Sequence, residues 1–517
     1  MMRLRSIATI RRYALAAVAL TTALATGGCT DKTPPPPPER PFAGTKLVVA
    51  VVGDPALLPS IRSQRGEWSA RTGADLSVLD KPIEPGDLAR STADVLVFPA
   101  DRLGDLVEAR SLAVLPDSLV LPPEPTAEGN EPAPAPPPDD FKYKDIAPTY
   151  RDQVTRYGKD RMALPIGGSA LVVVFQRRAF DSPVNREAAK AAGLTLEPPK
   201  TWEQFDALAR FFHGRDWDGD GSPESGVALA WGPDAEGVGD ATLLARAAAL
   251  GLHPDQFSFL FDAETTAPRV AAPPFVEALK AFVALKSSGP AGAEAFDADA
   301  ARKAFRSGEV AMLIDRAERA DAWGTAGTPV GTAPLPGSTR VYDFLRDAWD
   351  AERKTPNRPS YLLHGGGWLV GIAASTANKA AAEDFARYLA GPEATNRLRG
   401  EKGFPMLPVR TSQLSQGLAD PLAAPGVEAR PWADAVSRTI SVERPFPSPR
   451  FPGSLDYLAD LGKARVSAVN GQPVEATLEA LAKTWAERTR GLGQARQTWH
   501  HRRSLTGLST PSEPPPR

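Results

Sequence analysis

The chain reads as an α/β protein built on a mostly parallel sheet with helices on its faces. Three observations predict this. Short apolar runs alternate with stretches of helical periodicity, the pattern that feeds parallel strands through crossover helices. At 517 residues and 42% hydrophobic content there is apolar material for a large core and for two or more units. A single cysteine, and 60 basic against 62 acidic residues, exclude a disulfide framework, a zinc ribbon, a cysteine-held cluster and a basic nucleic-acid footprint. The 52 prolines and 43 glycines predict long loops or linkers beside the globular body.

The first elements lie outside the fold. Arg3, Arg5, Arg11 and Arg12 precede an uncharged apolar run over 13–25, followed by small residues. That order is a secretory signal peptide over 1–28, and its apolar run is too short for the roughly 20 residues of a membrane span. Thr26-Gly27-Gly28-Cys29 resembles a bacterial lipoprotein cleavage box, with Thr26 where a leucine is usual. It predicts that Cys29 becomes the acylated first residue; the alternative is simple secretion after Ala25. Arg11-Arg12 weakly resembles a twin-arginine signal, with an ordinary basic region as its other reading. Residues 29–44 contain five consecutive prolines, Pro34 to Pro38, and form an extended spacer.

The body opens with strands over 46–52 and 75–79, separated by a helix, and a buried strand over 94–98 followed by a helix over 101–110. Residues 122–140 are rich in Pro, Glu and Ala and predict a disordered insertion. Residues 162–175 form a long apolar stretch interrupted by Pro165 and Gly167-Gly168, suited to crossing between lobes. Thr201-Trp202-Glu203-Gln204 is a capping box, with Phe205, Leu208 and Phe212 at helical spacing behind it. A helix around Phe275 to Val283, a strand over 310–314 and a glycine-rich lead-in, 365–367, to a strand ending at Ile372 come next. Ser375 is expected to cap a helix that Gly391-Pro392 ends. Helices follow near 455–469 and 473–488, and the tail after Ser504 is expected to be disordered.

Enzyme signatures are missing: there is no P-loop, no H-E-x-x-H and no G-x-S-x-G. The five histidines lack zinc-ligand spacing. One metal motif is sharp. Residues 216–224 read D-x-D-x-D-G-x-x-E, the first half of a calcium loop. Asp216, Asp218 and Asp220 would supply side-chain oxygens, Ser222 its backbone carbonyl, and Glu224 closes the set. An EF-hand glutamate is absent at position twelve, where Val227 stands, so a structural Ca2+ loop without EF-hand helices is predicted. The alternative is a solvated acidic turn.

In order, these pieces resemble a family 1 extracellular solute-binding protein, the maltodextrin-binding type that serves ABC importers. The segments RYGKDRMALPIGGSALVVVFQRRAF, PPKTWEQFDALARFF, ARKAFRSGEVAMLIDRAERADAW, GGGWLVGIAASTANKAAAEDFARYLAGPEATNRL and FPGSLDYLADLGKARVSAVNGQPVEATLEALAKTWAE carry the likeness, with the calcium-type loop between the second and third. The resemblance implies a two-lobed periplasmic-binding-protein-like fold (type II), with a hinge of crossover strands and the ligand in the cleft. It implies a first lobe over 45–165, a second over 166–332, a return to the first over 333–405, and the helical end of the second over 406–503, before a tail at 504–517. Crossovers are expected near Pro165–Gly168, Ala333–Pro336 and Phe404–Pro408.

The ligand expected from the resemblance is a sugar or oligosaccharide. Val174-Phe175-Gln176 and Asp315-Arg316 stand where relatives place aromatic or asparagine residues, which puts a plain maltodextrin in doubt and opens a charged or decorated sugar or another polar solute. The candidate ligand contacts are Asp54 and Asp101 at strand ends, Asp315 and Arg316, and the aromatics Trp231, Trp368 and Tyr457, each with core packing as the other reading for its ring. The implied partners are an importer permease and, through Cys29, a membrane. The chain is expected to be a non-enzymatic monomer on the outer side of a bacterial membrane, binding no nucleic acid. A sensor or envelope scaffold derived from the same fold, and a secreted carbohydrate-active enzyme, are the rival readings.

Overall fold

Nine strands share one curled sheet, and the reason is visible in two of them. In the computed structural model, which describes residues 40–121, 139–325, 327–401, 406–415, 424–442, 445–505, 508, 510–511 and 513–515, the strands are β1 (Lys46–Val51), β2 (Asp75–Val78), β3 (Val95–Pro99), β4 (Leu164–Gln176), β5 (Ser225–Ala228), β6 (Val310–Arg316), β7 (Val330–Pro334), β8 (Ser360–Ile372) and β9 (Pro445–Pro447). Their order is β2-β1-β3-β8-β4-β6-β5, with β9 beside β8 and β7 beside β4. β1 pairs in parallel with β2 and β3, and β5 with β6. The long strands β4 and β8 run antiparallel to each other and to most of their neighbours, so the sheet is mixed rather than mostly parallel.

These two strands build both lobes. β8 pairs Trp368–Ile372 with β3 in the first lobe, and Ser360–Leu362 with β9 at its other end. β4 pairs Leu164 and Pro165 with β8, then Leu171–Phe175 with β6 and β7 in the second lobe. Alternation along β4 divides the interior: Val172 and Val174 face the core that continues from the first lobe, while Leu171, Val173 and Phe175 face a second core. A third connection runs at Leu407, which exchanges backbone hydrogen bonds with Gly168.

The helices that matter here are α1 (Leu103–Glu108), α2 (Trp202–Phe212), α3 (Val238–Gly251), α4 (Pro273–Ala284), α5 (Ala298–Ser307), α6 (Lys379–Leu389), α7 (Ala429–Ile440), α8 (Ser454–Val469), α9 (Val474–Gly491) and α10 (Gln494–Ser504). The capping box at Thr201 is formed on both sides and starts α2. Ser375 caps nothing: α6 begins after Asn378 without a side-chain cap.

Two boundaries shift. Residues after Ala333 do not return to the first lobe; Tyr342, Phe344 and Trp349 form an aromatic cluster whose Phe344 and Trp349 pack against the second core, and the return occurs along β8. Residues 406–415 belong with the first lobe, because the fully buried Arg410 donates to the carbonyls of Lys142 and Ala390. α7 does pack on the second-lobe strand β7, with the Trp432 indole donating to Ala317.

α10 touches both lobes. Arg496 and His500 bind Glu108 of α1, while His501 meets Ser258. Part of the tail after Ser504 is ordered against α10: the Pro511 carbonyl accepts from Trp499, and that of Pro515 from Arg496. The segment expected to be a signal peptide, Cys29, the expected spacer as far as Glu39 and residues 122–138 lie outside the described residues. Among the described residues no helix is long and apolar enough to cross a membrane.

Candidate ligand site at the seam between the lobes

The sequence delivers acidic side chains to the ends of β1 and β3. Asp54 follows β1 and caps the short turn Pro55–Leu57, accepting from the Ala56 N–H at 2.9 Å. Asp101 follows β3 and is buried. Burial pushes its carboxyl up to about 7, against the opposing pull of the neighbouring Arg102. Its Oδ2 lies 3.9 Å from His364 Nδ1 on β8. Burial and the charge of Arg316 push His364 down to about 3, so the imidazole is neutral at ordinary pH.

His364 reaches this place because β8 breaks its register between Leu362 and Gly367. Gly365, Gly366 and Gly367 all have positive φ, and a Cβ on Gly365 would lie 2.3 Å from the Asp101 backbone nitrogen. The three glycines are therefore a mid-strand kink that lets β8 lie on the Asp101 turn. Trp368, behind the kink, is 1% exposed and stacks obliquely under His364 with ring centres 5.3 Å apart.

The second lobe contributes a charge network. Asp315 and Arg316 are adjacent on β6 and point to opposite faces, so they do not pair with each other. Asp315 accepts from Arg302 of α5 at 2.7 and 2.8 Å and from the Trp323 indole at 2.7 Å. Arg302 also makes a two-pronged contact with Glu236, at 2.6 and 2.8 Å. Arg316 donates to Glu236 at 3.1 Å and to Glu318 at 2.8 Å. Burial would raise the Glu236 carboxyl, but the hydrogen bonds from Arg302 and the charges of Arg302, Arg316 and Arg319 outweigh it and hold the group at about 2. Arg302, Arg316 and Arg319 are thus all paired with the carboxylates Glu236, Asp315 and Glu318, and Arg302 also meets the exposed Asp299 at 2.8 Å.

Beneath the network, Ser169 of β4 donates to Glu318. The Tyr150 hydroxyl sits over Gly168, where a Cβ would lie 2.1 Å from it. Burial and the Glu318 charge hold the Tyr150 phenol well above its usual range. Among the described residues, Asp101 Oδ1, Tyr150 Oη and Glu318 Oε2 are buried without a hydrogen-bond partner. A buried polar atom left unpaired costs about 1–3 kcal/mol, so such atoms in one seam mark a place where a partner is expected to arrive. Next to Asp101 in sequence, Arg102 lines a cavity of about 400 Å³ together with Glu84 and Asp105 of the first lobe and Gly453, Leu455 and Asp456 of the second; the partnerless oxygens themselves do not line it. Gly453 N–H bridges the lobes by donating to Asp105 at 2.9 Å.

Of the residues expected from the sequence, Asp101, Arg316 and Trp368 meet at the seam, with Asp315 anchoring the network from behind. Asp54 stands at the outer turn beside Arg102. Trp231 and Tyr457 do not reach the seam. Trp231 is fully buried, its indole donating to the Phe282 carbonyl at 3.0 Å. Arg465 fixes that turn by donating to the carbonyls of Ala230, Trp231 and Gly232. Tyr457 turns into the second core among Phe261, Phe451 and Trp485, its hydroxyl 2.9 Å from that of Thr489. Helical phase is the reason: Asp456 faces the seam mouth, and the next residue is turned about 100° away. Tyr150, Ser169, Glu236, Arg302, Glu318 and His364 were not expected.

The acidic loop forms a separate cluster. Carboxylate oxygens of Asp216, Asp218, Asp220 and Glu224 all lie within 4.8 Å of one another. The N–H groups of Gly219, Asp220 and Gly221 point at Asp216, that of Ser222 at Asp220, and Arg178 contacts Asp218 at 2.8 Å. Burial and the three aspartates raise the Glu224 carboxyl.

The chain can now be set beside known proteins. No curated protein sequence gives a significant match. Solved structures share the fold. An ABC transporter solute-binding protein from Agrobacterium radiobacter K84, in complex with ribitol, aligns with a TM-score of 0.59 at 19% identity, covering 87% of this chain and all of the other. One from Agrobacterium vitis S4 with bound D-mannitol gives 0.57 at 18%, over 87% and 99%. The Thermus thermophilus maltotriose-binding protein gives 0.54 at 18%, over 86% and 100%. The family model described as bacterial extracellular solute-binding protein matches residues 88–424. With well over half of the chain inside that match, and the two-lobed α/β fold around the seam, the chain belongs to the bacterial extracellular solute-binding protein family.

Proposed function

We propose that the chain captures a small, neutral, polyhydroxylated solute, a sugar or sugar alcohol, in the seam between its lobes and delivers it to an ABC importer. The observation that carries this reading is the partnerless set Asp101 Oδ1, Tyr150 Oη and Glu318 Oε2 beside a charge network whose arginines are all paired with carboxylates. Such a site offers hydroxyl groups the hydrogen bonds it lacks, and offers no spare charge to an ion. The ribitol and D-mannitol carried by two of the structural neighbours support the same class. A thermal-shift and calorimetric screen with ribitol, D-mannitol, D-tagatose and maltotriose tests it, since a bound solute raises the melting temperature by mass action. Saturable binding of at least one, without turnover, is expected. Binding of none would favour a scaffold role for the same fold.

The carrier position is outside the cytoplasm, attached by lipid at Cys29, with residues 29–44 as spacer. Wild type should fractionate with membranes and Cys29→Ser should be soluble; soluble wild type cleaved after Ala25 would overturn the anchor. The acidic loop is proposed to hold Ca2+ through Asp216, Asp218, Asp220, Glu224 and the Ser222 carbonyl. Four hard oxygen donors gathered this closely fit that ion, although Arg178 already neutralises part of their charge. Calcium should raise the melting temperature relative to EDTA, and Asp216→Asn with Asp220→Asn should erase the difference. Equal melting of wild type in both conditions would leave a solvated turn.

A further inference from the structure

A second cavity, of about 340 Å³, has none of Asp101, His364, Arg316 or Glu318 in its wall, although its Ser448 accepts from the Gly365 N–H of the kink at 2.6 Å. Its wall is apolar and stiff: Phe446, Phe451, Leu505 and the prolines Pro445, Pro447 and Pro449. Proline fixes its own backbone, so this wall is preformed rather than assembled by a ligand. Phe257, 54% exposed, stands at the rim.

The polar groups on the wall define what could enter. Arg450 is committed, donating to the carbonyls of Val154 at 2.7 Å and Ser504 at 2.8 Å. His501 of α10 is 4% exposed and packs against Phe261 and Phe451. Burial, aided by the Arg269 charge, pushes it down to about 4, which leaves a neutral ring at ordinary pH. A neutral imidazole has one donor and one acceptor nitrogen. Nε2 is engaged with the Ser258 hydroxyl at 3.1 Å, and Nδ1 is buried without a partner.

We propose that this cavity is a second small-molecule site, taking a neutral, compact ring compound with a single hydroxyl group, held by apolar contact with the proline–phenylalanine wall and by His501 Nδ1. The volume falls in the range of small-ligand pockets, and a wall of rings and prolines with a few polar side chains, here Gln153, Asp255, Gln256, Ser448 and His501, is their usual chemistry. A sugar is a poor fit, because most of its hydroxyls would face apolar carbon.

The test uses the full mature chain, with p-cresol as probe and toluene as its hydroxyl-free counterpart, read by calorimetry and melting temperature. Wild type should bind p-cresol saturably and toluene roughly five- to tenfold more weakly, the worth of one hydrogen bond. Leu505→Trp, which fills the cavity from its edge, should abolish binding of both. His501→Leu should make the two probes equal, and His501→Asn, which keeps a polar atom near the Nδ1 position, should restore part of the difference. No binding by wild type, or undiminished binding by Leu505→Trp, would overturn the site. Equal affinity of wild type for the two probes would overturn the role of His501.

Discussion

The seam between the lobes is partly open at His364 and Glu236 while the second core around Trp231 and Trp485 is fully buried, and the two differ in what their polar atoms meet. Around Trp231, Tyr457 and Trp485 the polar tips find fixed partners in the same element neighbourhood: Trp231 in Phe282, Tyr457 in Thr489, Trp485 in the Tyr457 carbonyl. At the seam, among the described residues, three oxygens of charged or hydroxylic side chains remain without partners together, whereas the unpartnered atoms of the second core, such as Trp202 Nε1 and Trp217 Nε1, are single donors on apolar rings. A buried aromatic whose polar atom is satisfied has finished its work in folding. A buried oxygen without a partner costs stability, and that cost is understandable where a ligand repays it.

Four substitutions separate the two regions, beginning with the largest effect. Trp231→Ala removes a fully buried indole and should cost about 3–5 kcal/mol in chemical denaturation, while the folded fraction keeps its solute affinity. A selective loss of affinity with unchanged stability would return Trp231 to the ligand site. Arg302→Met strands Asp315 without its cation and should cost about 3 kcal/mol; adding Asp315→Asn should recover part of it, as a double-mutant cycle would show.

The third effect is pH-dependent. Asp101 is raised from 3.8 to about 7 in the folded chain, so folding favours its protonated form. Its contribution is therefore full below pH 4 and is lost as pH rises through 7. Asp101→Asn should flatten that part of the stability profile between pH 4 and 7. A wild-type profile that falls no more steeply than the variant's would contradict the burial of this carboxyl. The smallest change in stability is expected for Tyr150→Phe, within about 1 kcal/mol, since its hydroxyl has no partner to lose.

β3 and β4 were legible in the sequence because each is buried on both faces and so reads as a nearly unbroken apolar run, whereas the short β7 and β9 carry no such run. The long run at 162–175 announced β4 as a strand crossing between lobes; that Gly167 and Gly168 also admit Met406 and Tyr150 closely was not read from it. α10 was not legible: Gln-Ala-Arg-Gln-Thr-Trp-His-His-Arg-Arg has no apolar stripe, and it docks through His500, His501 and Arg503 instead. At the site, Asp101 was legible from its place at a strand end, and Arg316 only through the family resemblance. Glu318 with Ser169, and Glu236 with Arg302, are pairs far apart in the chain whose meeting depends on how β4, β6 and α5 pack. The direction of an aromatic ring beside a loop has no sequence signature, which is why Trp231 and Tyr457 were expected at the ligand and lie in the core.

The account turns on the seam being the ligand site, and titration calorimetry of the four polyols and sugars against wild type, Tyr150→Phe and Trp231→Phe tests that most directly. One solute should bind wild type saturably, Trp231→Phe should bind it equally well, and Tyr150→Phe should bind it about two- to tenfold more weakly, the loss of one hydrogen bond. A solute whose affinity falls in Trp231→Phe and is unchanged in Tyr150→Phe would contradict the account and move the site to the second core.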